Sequence, residues 1–109
     1  MKTIILDTNI LVDHVHGFAL WLDNLLKVNN EYTFIVPTIV ISEYLTAQEI
    51  DTKAGREKSD KYLAFFKTQD LNTEIAYILG NILRHKSYPP GADLGDLIIA
   101  STAIYLNAE

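Results

Sequence analysis

An aliphatic run, Ile4-Ile5-Leu6, ends on a single carboxylate, Asp7, and the chain turns polar at once through Thr8 and Asn9. This feature constrains the fold most. A strand with one wet face alternates apolar and polar side chains, whereas an unbroken run marks a parallel strand covered on both faces. Parallel neighbours need crossover connections, and helices supply both the crossover and the cover. Thr3 to Leu6 is therefore predicted to open a layered α/β fold with a central parallel sheet. A chain of 109 residues is read as one domain, residues 1–109, with one core.

The rest of the pattern agrees. Phe18, Trp21, Leu22, Leu25 and Leu26 fall at helical spacing, and "TFIVP" (Thr33 to Pro37) reads as a second short buried strand closed by proline. Thr38 is an N-cap candidate for a helix through "TIVISEYLTAQEI". The mixed-charge tract "DTKAGREKSDK", Asp51 to Lys61, reads as an exposed turn between helices, with Gly55 inside it. "KYLAFFK" sets Tyr62, Phe65 and Phe66 on one helical face, and a short third strand is predicted at Thr68 to Leu71.

Ile75, Ile78, Leu79, Ile82 and Leu83 form an amphipathic helix that stops at "YPPG", after Arg84, His85 and Lys86. The last helix starts near Asp93 and runs through "LGDLIIASTAIYL". Its faces are mostly apolar, so it is predicted to be largely buried. Asp96, Ala100, Ala103 and Asn107 share one of those faces. The alanines would let it press against another backbone and bring Asp96 toward Asp7.

Composition narrows the function classes. Hydrophobic residues make up 49% of the chain, which argues against disorder. There is no cysteine, hence neither a disulfide nor a thiolate metal site. No apolar run approaches the ~18 residues of a membrane span, and no secretory leader pattern is present. These features point to the cytoplasm. A net charge of -5 argues against binding nucleic acid by bulk electrostatics, but leaves room for an enzyme that meets a phosphodiester through bound cations.

In open parallel sheets, ligands collect at the carboxyl ends of the strands. Asp7 lies at that end of the first strand, Glu43 in the first turns of the helix after the second, and Asp96 in the first turn of the final helix. Clustered carboxylates repel one another, and a hard divalent cation with oxygen ligands and retained waters removes the conflict. Phosphodiester hydrolysis is the matching reaction class. Each acid also has a plainer reading. Asp7 can cap a helix, Glu43 can serve a helix dipole, and Asp93 reads as a cap before a ligand.

His14 and His16 are two apart and do not share a helical face, so zinc is not expected. Lys53, Arg56, Lys58 and Lys61 are interleaved with acids and read as a solvated face. Trp21 and the Tyr62 to Phe66 aromatics read as core or as a partner interface, not as a base-stacking platform. An aspartyl-phosphate mechanism needs a second aspartate two residues after the first, where this chain has Asn9.

Three motifs, "ILDTNILVD", "IVISEYL" and "DLIIASTAI", in this order and spacing, resemble the PIN-domain family, especially the VapC-type toxins of toxin-antitoxin pairs. The resemblance spans the whole chain. It implies a Rossmann-like α/β/α sandwich and Mg²⁺- or Mn²⁺-dependent RNA cleavage by an acidic cluster at one sheet edge. By position, Asp7, Glu43 and Asp96 match the family's metal-binding catalytic acids, with Thr8 and Asn9 orienting the first carboxylate and its waters. An antitoxin protein and a homodimer are the implied partners, with RNA as the substrate.

One departure stands out. The family continues into another strand and a segment carrying a fourth acid, whereas this chain stops at "YLNAE". The expectation is a PIN domain lacking its C-terminal strand, with Asp93 as a partial substitute for the fourth acid. The alternative is a non-catalytic PIN-like module that pairs with an antitoxin or with itself.

Overall fold

In the computed structural model, which describes residues 2–27, 31–47 and 51–108, the buried strand sets the plan. β1 (Lys2–Ile5) leads into α1 (Thr8–Val15) and α2 (Leu20–Leu26), then β2 (Tyr32–Pro37), α3 (Thr38–Ala47) and α4 (Lys53–Leu63). β3 (Lys67–Gln69), α5 (Thr73–His85) and α6 (Leu94–Leu106) complete it. The strands lie in the order β1-β2-β3 and all run parallel, each step bridged by two helices. Ile4 pairs with Phe34, and Ile5 with Ile35. The Leu6 N–H continues that ladder to the Ile35 carbonyl at 3.0 Å, so the backbone is still held one residue before Asp7. Among the described residues β1 is an edge strand, paired only with β2. No helix among them is long and apolar enough to cross a membrane.

The core gathers Leu6, Leu11, Leu22, Phe34, Val36, Val40, Tyr44 and Phe66. β2, the central strand, buries Phe34, Val36 and Pro37, as its apolar run requires. One polar connection ties three helices over this core. His14 Nε2 donates to Asp23 Oδ1 of α2 at 2.8 Å. Its Nδ1 is hydrogen-bonded to the Tyr62 hydroxyl of α4 at 2.7 Å.

Burial pushes the Tyr62 hydroxyl well above the usual phenol range, and Tyr44 and the Asp23 charge push it further. Burial also raises Tyr44. The folded chain therefore keeps protons that the unfolded chain releases above about pH 10. This stabilisation is complete below that pH and is lost as the pH rises toward the folded values. Of the six tyrosines, Tyr44 and Tyr62 should ionise last in an absorbance titration. Tyr62→Phe should flatten the fall of Tm between about pH 9 and 11. An unchanged slope in that variant would overturn the assignment.

Several predicted features differ from the structure. The tract from Asp51 to Lys61 is not a turn: from Lys53 it is α4, capped by Thr52, whose hydroxyl accepts from the Gly55 N–H at 3.0 Å. Its charges fall at i, i+4 spacing (Arg56 and Asp60, Glu57 and Lys61), which suits an exposed helix. Helix α4 ends at Leu63, so Tyr62, Phe65 and Phe66 do not share a helical face. Phe66 enters the core while Phe65 stays exposed.

Thr38 is the first helical residue after Pro37, not a cap outside the helix. The predicted extension of α3 through Gln48 to Ile50 lies outside the described residues. Trp21 is exposed rather than core. The third strand forms at Lys67–Gln69, slightly before its predicted place. Nor is α6 largely buried. It buries Leu97, Ser101 and Thr102, leaving Leu94, Ala100 and Ile104 exposed. Its inward face is therefore not the alanine face. The two hydroxyls can be buried because each bonds back to the carbonyl four residues earlier, at 2.8 Å.

Candidate active site

Asp7 follows the last ladder bond of β1 and caps α1. Its backbone is extended (φ -93°, ψ 175°), and its Oδ1 accepts from the Ile10 N–H at 3.0 Å. The second carboxylate oxygen has no protein donor among the described residues. Capping and metal binding therefore do not compete for the same atom.

Thr8, the first residue of α1, donates its hydroxyl to Glu43 Oε1 at 2.8 Å. That bond crosses from α1 to α3 and joins residues 35 positions apart. The threonine thus orients Glu43 rather than Asp7, and Asn9 is exposed with no bond to either acid among the described residues.

The other Glu43 oxygen lies against the first turn of α6. A Cβ on Gly95 would stand 3.0 Å from Glu43 Oε2 and 3.3 Å from Asp93 Oδ1, so both carboxylates border the space that a side chain there would fill. Asp93 is the N-cap of α6, its Oδ1 accepting from the Asp96 N–H at 2.8 Å. The Asp93 N–H returns the contact to Asp96 Oδ2 at 3.4 Å, completing a capping box. Asp96 sits one residue beyond Gly95, exposed in the same turn.

The structure thus brings Asp7, Thr8, Glu43, Asp93 and Asp96 to the carboxyl end of β1, through the starts of α1 and α6 and the middle of α3. The cluster is open. Among the described residues no three acidic or imidazole groups converge closely enough to enclose a metal ion. An all-oxygen set of this kind fits Mg²⁺ or Mn²⁺, because a hard cation that keeps several waters needs only one or two direct carboxylates. His14, committed to Asp23 and Tyr62, is not part of it.

Gly95 is the functional position that the sequence reading missed. Its one signal was a glycine in the first turn of an otherwise apolar helix. Gly95→Ala should improve helix propensity by up to about 1 kcal/mol. The added methyl group must nonetheless displace the Glu43 carboxylate that Thr8 holds. A Tm within a few degrees of the parent, with divalent-cation affinity reduced about tenfold, is the expected outcome. Unchanged affinity would show that Glu43 needs no such seat.

Residues 4–109 match the family described as PIN domain. Among solved structures, the chain is similar to one in the VapBC2 complex of Rickettsia felis bound to a DNA fragment from their promoter. The TM-score is 0.76 at 24% identity, covering 99% of this chain and 84% of that one. At that identity the likeness concerns the fold. No curated protein matches the sequence.

Proposed function

Because the chain belongs to the PIN domain family, we propose that it is a metal-dependent ribonuclease of the VapC toxin type, restrained by an antitoxin protein. The observation that supports this reading is the Thr8–Glu43–Gly95 apposition, in which a hydroxyl from α1 and the first turn of α6 both meet the Glu43 carboxylate. Asp7, Glu43 and Asp96 would hold a Mg²⁺ or Mn²⁺ ion. Such an ion supplies positive charge beside a phosphodiester and acidifies water.

The chain's own residues do the positioning. Asp7 spends one oxygen on the α1 cap, which fixes the direction of the other. Thr8 pins Glu43 by one oxygen and leaves Oε2 available for the ion or for a proton from water. The capping box orders the turn that carries Asp96. Paired acids of this kind also repel RNA phosphates, so the cation is what lets a chain of net charge -5 approach its substrate. The antitoxin partner and a homodimer belong to the same proposal. The Rickettsia felis complex, a fold relative, supports the pairing.

A second reading, a non-catalytic PIN-like module, is favoured by the open cluster. One assay separates the two. RNA should be cleaved in Mn²⁺ and left intact in EDTA, and Glu43→Gln and Asp96→Asn should each weaken Mn²⁺ binding about tenfold or more. Unchanged metal affinity in both variants sinks the nuclease assignment. Tight, metal-independent binding to an antitoxin without cleavage establishes the module.

A further inference from the structure

A cleft of about 470 Å³ opens between the C-terminal half of α1, the middle of α3 and the length of α4. His14, Tyr44, Thr52, Lys58, Ser59 and Tyr62 are among its walls. Tyr44 is 2% exposed and Ser59 6%, yet neither hydroxyl has a hydrogen-bond partner among the described residues. Buried hydroxyls are ordinarily paired. No described polar side-chain atom that is sealed from solvent lacks a partner, so both hydroxyls touch solvent, and both residues line the cleft. The other polar groups are already engaged: His14 with Asp23 and Tyr62, Thr52 with the Gly55 N–H.

The electrostatics are also distinctive. On a chain of net charge -5, this lining contains one ammonium, Lys58, and no carboxylate. The first turn of α4, at Thr52 and Gly55, adds the positive end of an 11-residue helix. One wall is aromatic: the Tyr62 ring is half-buried there and is backed by the buried Tyr44 ring, 5.6 Å away at 30°.

We infer that the cleft binds a ribonucleotide unit, its base against the part-exposed Tyr62 ring and the two unpartnered hydroxyls, its phosphate toward Lys58 and the first turn of α4. Aromatic surface beside a local positive charge is the usual platform for single-stranded nucleic acid. The source of the nucleotide rests on the nuclease reading. Tyr44 follows Glu43 directly on α3, and His14 lies about 9 Å along α1 from Thr8. On that reading an RNA strand with a phosphodiester at the acids extends along α1 and α3, the two helices that also line the cleft. The cleft then selects which sequences are cut.

The test uses the full chain in EDTA, so cleavage plays no part. Backbone amide NMR shifts would be followed while adding each nucleoside 5′-monophosphate, inorganic phosphate, or a short oligoribonucleotide. At least one mononucleotide should give saturable shifts at the Gly55 and Ser59 amides, with inorganic phosphate giving far smaller ones. Ser59→Ala should weaken binding a few-fold and Tyr44→Phe/Ser59→Ala about tenfold, the rest of the spectrum staying native. Tighter binding of the oligoribonucleotide identifies the RNA strand as the source, and equal affinity identifies a free nucleotide. No shift at those amides, full reproduction by inorganic phosphate, or no effect of the double variant would overturn the inference. Cleavage is scored separately in Mn²⁺. An inactive chain with an intact nucleotide response overturns the nuclease reading alone, and an active chain with no response overturns the cleft alone.

Discussion

Asp7→Asn should leave the stability of the protein within about 0.5 kcal/mol of the parent while lowering RNA cleavage at least a hundredfold, equivalent to ~2.7 kcal/mol of barrier. The two effects separate because Asp7 serves two purposes with two oxygens. Asparagine is as good an N-cap as aspartate, and its side-chain oxygen can accept from the Ile10 N–H as Oδ1 does now. What it cannot supply is the negative charge that a cation requires. Asp7→Ala removes both, and should cost about 1 kcal/mol of stability as well as the activity. Cleavage rates in Mn²⁺ and denaturant midpoints, measured on the same preparations, check both halves. Equal cleavage by parent and Asp7→Asn would assign the activity to something other than this acid.

Leu22→Ala should be the most destabilising of the substitutions considered, costing ~3–5 kcal/mol. Leu22 is the fully buried residue of α2, with Leu25 and Leu26 packed against the core beside it. Helix α2 is only seven residues long and has no side-chain N-cap bond at Ala19, so it is well below the length at which an isolated helix holds together. Its order comes from Leu22, with Leu25 and Leu26 beside it, and from the Asp23–His14 bond. Against a domain stability of about 5–15 kcal/mol, that loss takes a large share of the total. Chemical denaturation reads the size of the loss. Amide exchange should show α2 opening well before β2. A loss below about 1 kcal/mol would mean that α2 is held elsewhere.

Much of the fold was legible because its causes are local. The buried run of β1, the proline that closes β2 and the amphipathic period of α5 each act within a few residues. Asp93 as the cap of α6 was equally readable. Charge composition misled at α4. The tract is too polar to show an apolar stripe, yet Thr52 caps it, and Ser59 and Tyr62 face the interior along it. In α6 the abundance of apolar residues concealed which face turns inward. Its buried face carries two hydroxyls that satisfy themselves on their own helix.

The site divides in the same way. The sequence by itself determined that a parallel strand presents Asp7 at its carboxyl end, that Asp96 sits in the first turn of a helix, and that the chain carries no thiolate, whereas Glu43, expected in the first turns of α3, lies at its middle. Strand burial, helix phase and composition are properties of short stretches. Only the tertiary structure decided that Thr8 serves Glu43, that Gly95 leaves room for its carboxylate, and that Tyr44 and Ser59 leave two hydroxyls facing one cleft. Those facts depend on helices from distant parts of the chain meeting at particular angles. A hydrogen bond across 35 residues is set by packing, which no local pattern encodes.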